Sequence, residues 1–286
     1  MGKRCLLGAC TWLFGDLTLA NIAGRLRGLG FDGVELMGDL DNTRAADASR
    51  AILDEGLAVL SITPADWYGG KIVDLAHPDP AIRAASVGYY DRLLEFSAEI
   101  DARQQGTGIR PVVGCHGHVG RIRAISTQAE ERAAFVEAVR QVAERARPAG
   151  LRVVLEVLNR YESHLNCTAA ETVQFVADVG SDAVGILLDA YHMNIEEADP
   201  AAAIRLADGR LWLYHVADSN REGIGHGHTD FGAQIAALAD VDYAGPVIME
   251  CTAPGPDPFT PVKGPRFVSQ LETYLGESAA WLRARL

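Results

Sequence analysis

The sequence predicts an α/β protein, a single (β/α)8 barrel with its site at the C-terminal ends of the strands. Eight apolar runs of strand length are spaced along 286 residues. Amphipathic stretches with recognisable helix caps separate them. No G-x-G-x-x-G turn follows the first strand, where GACTWLFGD stands instead, so an open doubly wound sheet is the weaker fit. Strands apolar on both faces that alternate with helices form a parallel sheet covered by helices. Eight such units in this length close into a barrel. One domain, residues 1–286, accounts for the chain, with no linker and no repeat beyond the βα unit.

In order, KRCLLGA (3–9), GVEL (33–36), LAVLSI (57–62) and RPVVGC (110–115) supply the first four strands. RVVLEV (152–157), VGILLD (184–189), LWLYHV (211–216) and PVIME (246–250) supply the last four. Between them, Asp79-Pro80 and Asp199-Pro200 each set an N-cap before a proline suited to the first helical turn. Thr127 with Glu130, and Thr168 with Glu171, have the spacing of a capping box. Phe135, Val139, Val142 and Ala146 share one helical face. PADWYGGKIVDLAHPD (64–79) reads as a long βα loop of the kind that builds sites.

Composition narrows the function classes. The chain is 48% hydrophobic and 22% charged, as globular proteins are. A net charge of −12 opposes a nucleic-acid partner and docking on an anionic membrane. No segment is long and apolar enough to span a bilayer. The five cysteines form no C-x-x-C pair, and their odd number makes a poor disulfide framework, so a reducing cytoplasm is expected. The opening MGKRCLLGAC imitates a lipoprotein cleavage box, but its apolar run is too short for a signal segment.

The stretch VGILLDAYHMN (184–194) poses the functional question. A strand this apolar ends on a carboxylate, which must be paired, bound to a metal or open to water. Neighbouring strands supply the answer. The fifth reaches Glu156, the sixth ends at Asp189, the seventh carries His215 and the eighth ends at Glu250. In a barrel these ends meet on one face. Three carboxylates so close repel one another unless a cation sits among them. Three oxygen donors and one imidazole suit Mn2+ or Mg2+, tolerate Co2+, and lack the thiolates of a structural zinc site. Taken singly, each carboxylate reads more simply as an N-cap or ion-pair partner, and His215 as a hydrogen-bonded core histidine. Coincidence on four successive strands favours the metal.

Other residues are less decided. Glu35, at the end of the second strand, divides evenly between pocket lining and structural pairing. Asn159, Arg160, Glu162, His192, Asn220 and Arg221 lie just past the strand ends and suit a polyhydroxylated substrate. His116 and His118 in GCHGH allow a second metal, although the glycines favour a tight turn near a ligand. GHGH (225–228) reads as a substrate lid or a turn, and Cys251 as packing.

LEVLNRYESHLNCTAAET, LLDAYHMNIEEADP, LYHVADSNREGIGHGHTDF and YAGPVIME resemble the corresponding blocks of the D-tagatose/D-psicose (allulose) 3-epimerases, a group of xylose-isomerase-like sugar isomerases and epimerases with TIM-barrel folds. The resemblance is dense over residues 151–250 and looser, but collinear, before them. It implies one divalent metal, usually Mn2+, on Glu156, Asp189, His215 and Glu250. It implies that Glu156 and Glu250 also form the acid/base pair, and that Glu162, His192 and Arg221 hold the sugar near its carbonyl. It implies C3 epimerisation of a ketose through a cis-enediolate, in a homodimer or homotetramer; no P-loop-like phosphate cradle is apparent, so a free sugar is expected. Two loops, TWLFGD and CTAPGPDPFTPVKGPRF after Glu250, depart from the epimerase pattern. Related chemistry on the same site would be aldose–ketose or hydroxypyruvate isomerisation, inosose dehydration or C-glycoside deglycosylation. More distant readings are an apurinic endonuclease, which the acidic charge opposes, and a catalytically silent sugar-binding protein.

Overall fold

The computed structural model describes residues 5–65, 73–117, 119–254, 262–264 and 266–286. Its eight strands are β1 (Leu7–Cys10), β2 (Gly33–Gly38), β3 (Ala58–Pro64), β4 (Val112–Cys115), β5 (Arg152–Glu156), β6 (Val184–Asp189), β7 (Leu211–Val216) and β8 (Val247–Met249). They pair in sequence order, all parallel, and β8 returns to β1 to close the barrel. The expected strands fall within a few residues of these bounds. The largest shift is at the first, whose Lys3 and Arg4 lie outside the described residues.

Among the described residues the helices are α1 (Leu19–Gly28), α2 (Ala45–Leu53), α3 (Pro80–Arg103), α4 (Gln128–Ala146), α5 (Ala169–Val179), α6 (Ala190–Glu196), α7 (Pro200–Ala207), α8 (Phe231–Asp240) and α9 (Phe267–Arg283). Local chemistry sets their starts. Asp79 and Asp199 accept backbone N–H bonds ahead of Pro80 and Pro200. Thr127 and Glu130 complete a capping box on α4. Thr168 caps α5 likewise, but Glu171 reaches back to the Cys167 amide instead. On α4 the stripe of Phe135, Val139, Val142 and Ala146 is buried against the barrel. Burying an apolar side chain of Val or Phe size contributes about 1.5–3 kcal/mol. Every residue of β6 is buried, as a strand covered on both faces requires. At Gly33 a Cβ would stand 2.2 Å from the Ala58 carbonyl oxygen, so β2 and β3 approach closely only because that side chain is absent.

Two register shifts matter for the site. Between β2 and β3, Val34 pairs with Val59 but Glu35 pairs with Ser61, leaving Leu60 over. Between β6 and β7, Ile186 pairs with Leu211 but Leu187 pairs with Leu213, leaving Trp212 over. Each extra residue works as a bulge, re-aiming the side chains that follow it. The results are a Glu35–Ser61 pair and an Asp189–His215 pair.

The loops at the barrel mouth are tied by a buried ionic knot. Arg121 donates through Nε to Asp74 at 2.7 Å and through Nη1 to Glu131. The His164 ring meets Glu131 at 2.9 Å. The knot therefore joins segments that follow β3, β4 and β5. No helix among the described residues is long and apolar enough to cross a membrane.

Candidate metal centre and active site

Glu156, Asp189, His215 and Glu250 each offer one donor atom, and these atoms lie within 4.8 Å of one another. Glu156 and Asp189 are the last residues of β5 and β6, His215 is the next-to-last of β7, and Glu250 directly follows β8. All four are buried.

Asp189 divides its two oxygens between structure and site. Oδ1 accepts the Tyr191 N–H at 2.7 Å and caps α6. Oδ2 is buried and has no hydrogen-bond partner among the described residues. A carboxylate oxygen left so is costly unless a cation meets it. Burial holds the Asp189 carboxyl up to about 6. Three carboxylates, an imidazole and one orphaned buried oxygen fit a divalent ion that prefers oxygen ligands.

The same cluster is held by positive partners. Arg221 places Nη2 3.0 Å from Glu250 and Nη1 3.9 Å from Asp189 Oδ2. Its guanidinium stacks 4.6 Å over the Tyr191 ring. Its backbone takes φ 63°, the left-handed region, which swings the side chain back over the mouth. His215 meets Glu250 through Nδ1 and Glu35 through Nε2, both at 3.0 Å. Burial alone would raise the Glu250 carboxyl, but Arg221 and His215 outweigh it and hold it well below the usual range. Burial would likewise lower His215, yet Glu35 and Glu250 hold the imidazolium well above the ordinary histidine value. At Glu156 burial is again outweighed, here by His116, and the carboxyl is lowered.

A cavity of about 420 Å³ opens above the cluster. Trp12, Thr63, His116, Val119, Leu158, Glu162, His192 and Arg221 line it together with Glu156, His215 and Glu250. The three residues expected to hold a sugar are thus on its wall. His192, the third residue of α6, has Nε2 3.6 Å from both Glu156 and Asp189. Asn159 ties His192 to Glu162, with Nδ2 2.8 Å from the ring and 2.9 Å from the Glu162 carboxylate.

Other expectations resolve differently. Arg160 turns away to pair with Glu196 at 2.7 Å, and Asn220 donates to the His226 carbonyl at 3.0 Å, so neither lines the cavity. Both follow a strand end, but their local turns point them outward. GHGH forms a tied turn, with the Asp218 carboxylate accepting from the Gly225 and Thr229 amides. Cys251 is buried, and burial pushes its thiol up to about 12, which suits packing. His118 lies outside the described residues, as do parts of the 64–79 loop and of the loop after Glu250. Glu35 is paired within the barrel and is absent from the cavity wall.

His116, read from its sequence as part of a tight turn near a ligand or of a second metal site, places Nε2 2.9 Å from Glu156 and 3.4 Å from the Thr63 hydroxyl. It directly follows β4, so the strand-end rule that marks the other donors marks it too. Trp12 enters from a 3-10 turn, Thr11–Phe14, directly after β1.

Fold and site together define a barrel enzyme with a carboxylate–imidazole metal centre at its mouth. The profile of the xylose isomerase-like TIM-barrel family matches residues 24–285. A D-psicose 3-epimerase of Agrobacterium fabrum is 33% identical over 226 residues, 78% of this chain and 75% of that one. A 3-dehydro-D-guloside 4-epimerase of Escherichia coli is 29% identical over 261 residues, 90% of this chain and 91% of that one. The crystal structure of D-psicose 3-epimerase with D-tagatose from Clostridium cellulolyticum H10 superposes with a TM-score of 0.84 at 26% identity, covering 98% of this chain and 99% of that one. The chain belongs to the xylose isomerase-like TIM-barrel family and stands there with the ketose 3-epimerases. Its chemistry is that of a metal-dependent epimerase.

Proposed function

We propose that the protein inverts C3 of a free ketose through a cis-enediolate, with Mn2+ as its resident ion. The gathering of four donor atoms within 4.8 Å beneath a cavity lined by Glu162, His192 and Arg221 carries this reading. Glu156, Asp189, His215 and Glu250 would hold the ion. When bound, it supplies a Lewis acid toward the carbonyl and a neighbouring hydroxyl of the sugar.

The chain's own residues do the rest. Glu156 and Glu250 arrive from β5 and β8 and transfer the proton, one removing it from C3 and the other returning one to the opposite face. Their surroundings are unequal, as acid/base partners require. Glu156 hydrogen-bonds an imidazole, His116, which can store or release a proton. Glu250 is bonded to the Arg221 guanidinium, which cannot, and its other partner, His215, is one of the residues that would hold the ion. Glu162, His192 and Arg221 orient the sugar hydroxyls, and Trp12, Val119 and Leu158 give the cavity an apolar wall against the sugar's carbon skeleton. Reversal of the reaction exchanges the two carboxylates' roles.

Metal-replete protein incubated with D-fructose, D-psicose, D-tagatose and D-sorbose in D2O, followed by NMR, tests the proposal. Deuterium at C3 and growth of the C3 epimer are expected. Absence of C3 exchange in all four sugars would sink it.

A second reading has its own support. The 4-epimerase relative aligns over nine-tenths of this chain, more than the 3-epimerase relative does. Inversion at C4 beside a C3 ketone is the same proton transfer on a glycoside. A 3-keto glycoside added to the same panel separates the two. A homodimer or homotetramer in the cytoplasm remains our expectation, and light scattering tests the assembly.

A further inference from the structure

Glu35 has no place in the chemistry above, yet it is buried to 2% exposure at the barrel centre. Its two oxygens collect three contacts from three strands. Oε2 accepts the Ser61 hydroxyl of β3 at 2.7 Å and faces His215 Nε2 of β7 at 3.0 Å. Oε1 accepts the Cys10 thiol of β1 at 3.3 Å. Cys10 and Ser61 are the residues paired with Glu35 across the sheet on either side, and the Ser61 pairing exists because Leu60 is bulged out. The cradle is thus built by strand register.

An ionised carboxylate only accepts hydrogen bonds. Both His215 nitrogens stand 3.0 Å from a carboxylate, but only Nδ1 faces a member of the donor cluster, so a bound ion displaces the proton there and the one toward Glu35 stays on Nε2. The other nitrogen, Nδ1, faces Glu250 within the donor cluster. An imidazole can give a metal its lone pair from only one nitrogen while the other stays protonated. Glu35 itself belongs neither to the donor cluster nor to the cavity wall.

We propose that Glu35 is a positioning residue that fixes the His215 tautomer, so that Nδ1 is presented to the divalent ion, and that the Cys10–Glu35–Ser61 cradle thereby sets metal affinity. This rests on the metal-centre reading above. A charged acceptor behind a ligating histidine orients the ring and strengthens it as a donor. The halves of the barrel then divide the work: β5 to β8 present the ligands, and β1 to β3 aim one of them.

The test uses the full-length protein and Mn2+ alone, titrated by calorimetry and by electron paramagnetic resonance of the free ion. Glu35→Gln keeps an acceptor but removes the charge, and should weaken Mn2+ binding about ten- to a hundredfold. Ser61→Ala should weaken it by a smaller factor. A merely structural role would lower the unfolding temperature and leave affinity in place. Glu35→Gln that folds cooperatively and binds Mn2+ within twofold of wild type would overturn the proposal. Wild type that binds no Mn2+ would overturn both this and the metal-centre reading. A measurement on wild type removes dependence on any variant's folding. In the Mg2+-loaded protein with 15N-labelled histidine, the His215 ring should carry its proton on Nε2. A proton found on Nδ1 would overturn the assignment.

Discussion

Asp189 and His215 stand opposite each other at the ends of β6 and β7 because Trp212 is left out of the pairing between those strands. Without that extra residue every later side chain of β7 would exchange faces, and His215 would leave the mouth. Trp212 is held in place by its indole N–H bond to the Gly209 carbonyl at 3.1 Å and by the Arg152 guanidinium 4.8 Å over its ring. A feature at the base of the strand thus decides what reaches the chemistry at its top.

Asp189→Asn should move affinity and stability in opposite directions. An asparagine keeps the cap on α6 but removes the charge that faces the cluster. Mn2+ affinity should fall by at least about a hundredfold. The metal-free protein should unfold at the same or a higher temperature, because an orphaned buried carboxylate oxygen is gone. Calorimetry with Mn2+ and thermal unfolding in a chelator read the two effects.

At saturating metal, Glu156→Gln and Glu250→Gln should each suppress exchange of the sugar C–H with D2O by about a hundredfold or more. Exchange at the wild-type rate in either variant would remove that residue from the acid/base pair.

Metal binding should release protons and weaken in acid. Asp189, held up to about 6 by burial, must ionise to ligate, so affinity should fall as pH drops below about 6. His215, held protonated well above the ordinary histidine value, must give up its Nδ1 proton. Calorimetry at pH 7 in buffers of different ionisation enthalpy should therefore register about one proton released per metal. The stability sign is also fixed. A carboxyl whose folded value exceeds its unfolded one, about 3.9, makes the metal-free fold lose stability as pH rises from about 4 to 6. Saturating metal should abolish that slope.

Arg121→Ala should destabilise the fold by about 3–5 kcal/mol, since it leaves Glu131 charged and buried without its cation. Glu131 is held down to about 2: burial would raise it, but Arg121 and the Ser126 and Ile125 amides outweigh that. Its contribution is therefore present above about pH 4.5 and lost as pH falls toward 2. Urea titrations at pH 7 and pH 3 should show the difference between wild type and variant shrinking in acid.

The barrel was readable because its strands are apolar on both faces and its helices carry explicit caps. The donor cluster was readable for a related reason: a carboxylate at the end of a buried strand conflicts with its surroundings, and four conflicts on successive strands share one resolution. What stayed hidden depends on registration across the barrel. Leu60 and Trp212 look like ordinary strand residues, and nothing local marks either as a bulge. Glu35 was undecided because its partners, Cys10, Ser61 and His215, lie on three other strands. Arg160 and Asn220 were misplaced because position past a strand end gives the face of the barrel but not the direction of a loop side chain.

The pairing of β8 with β1 carries a consequence for biosynthesis. Glu250 directly follows the strand that seals the ring, so the last ligand and the last seam arrive together. A nascent chain still lacking that segment holds three of the four donors on an open, unclosed sheet. Cation capture is thereby deferred until the eighth strand has been made, and a polypeptide terminated before it has no complete coordination sphere with which to trap an ion.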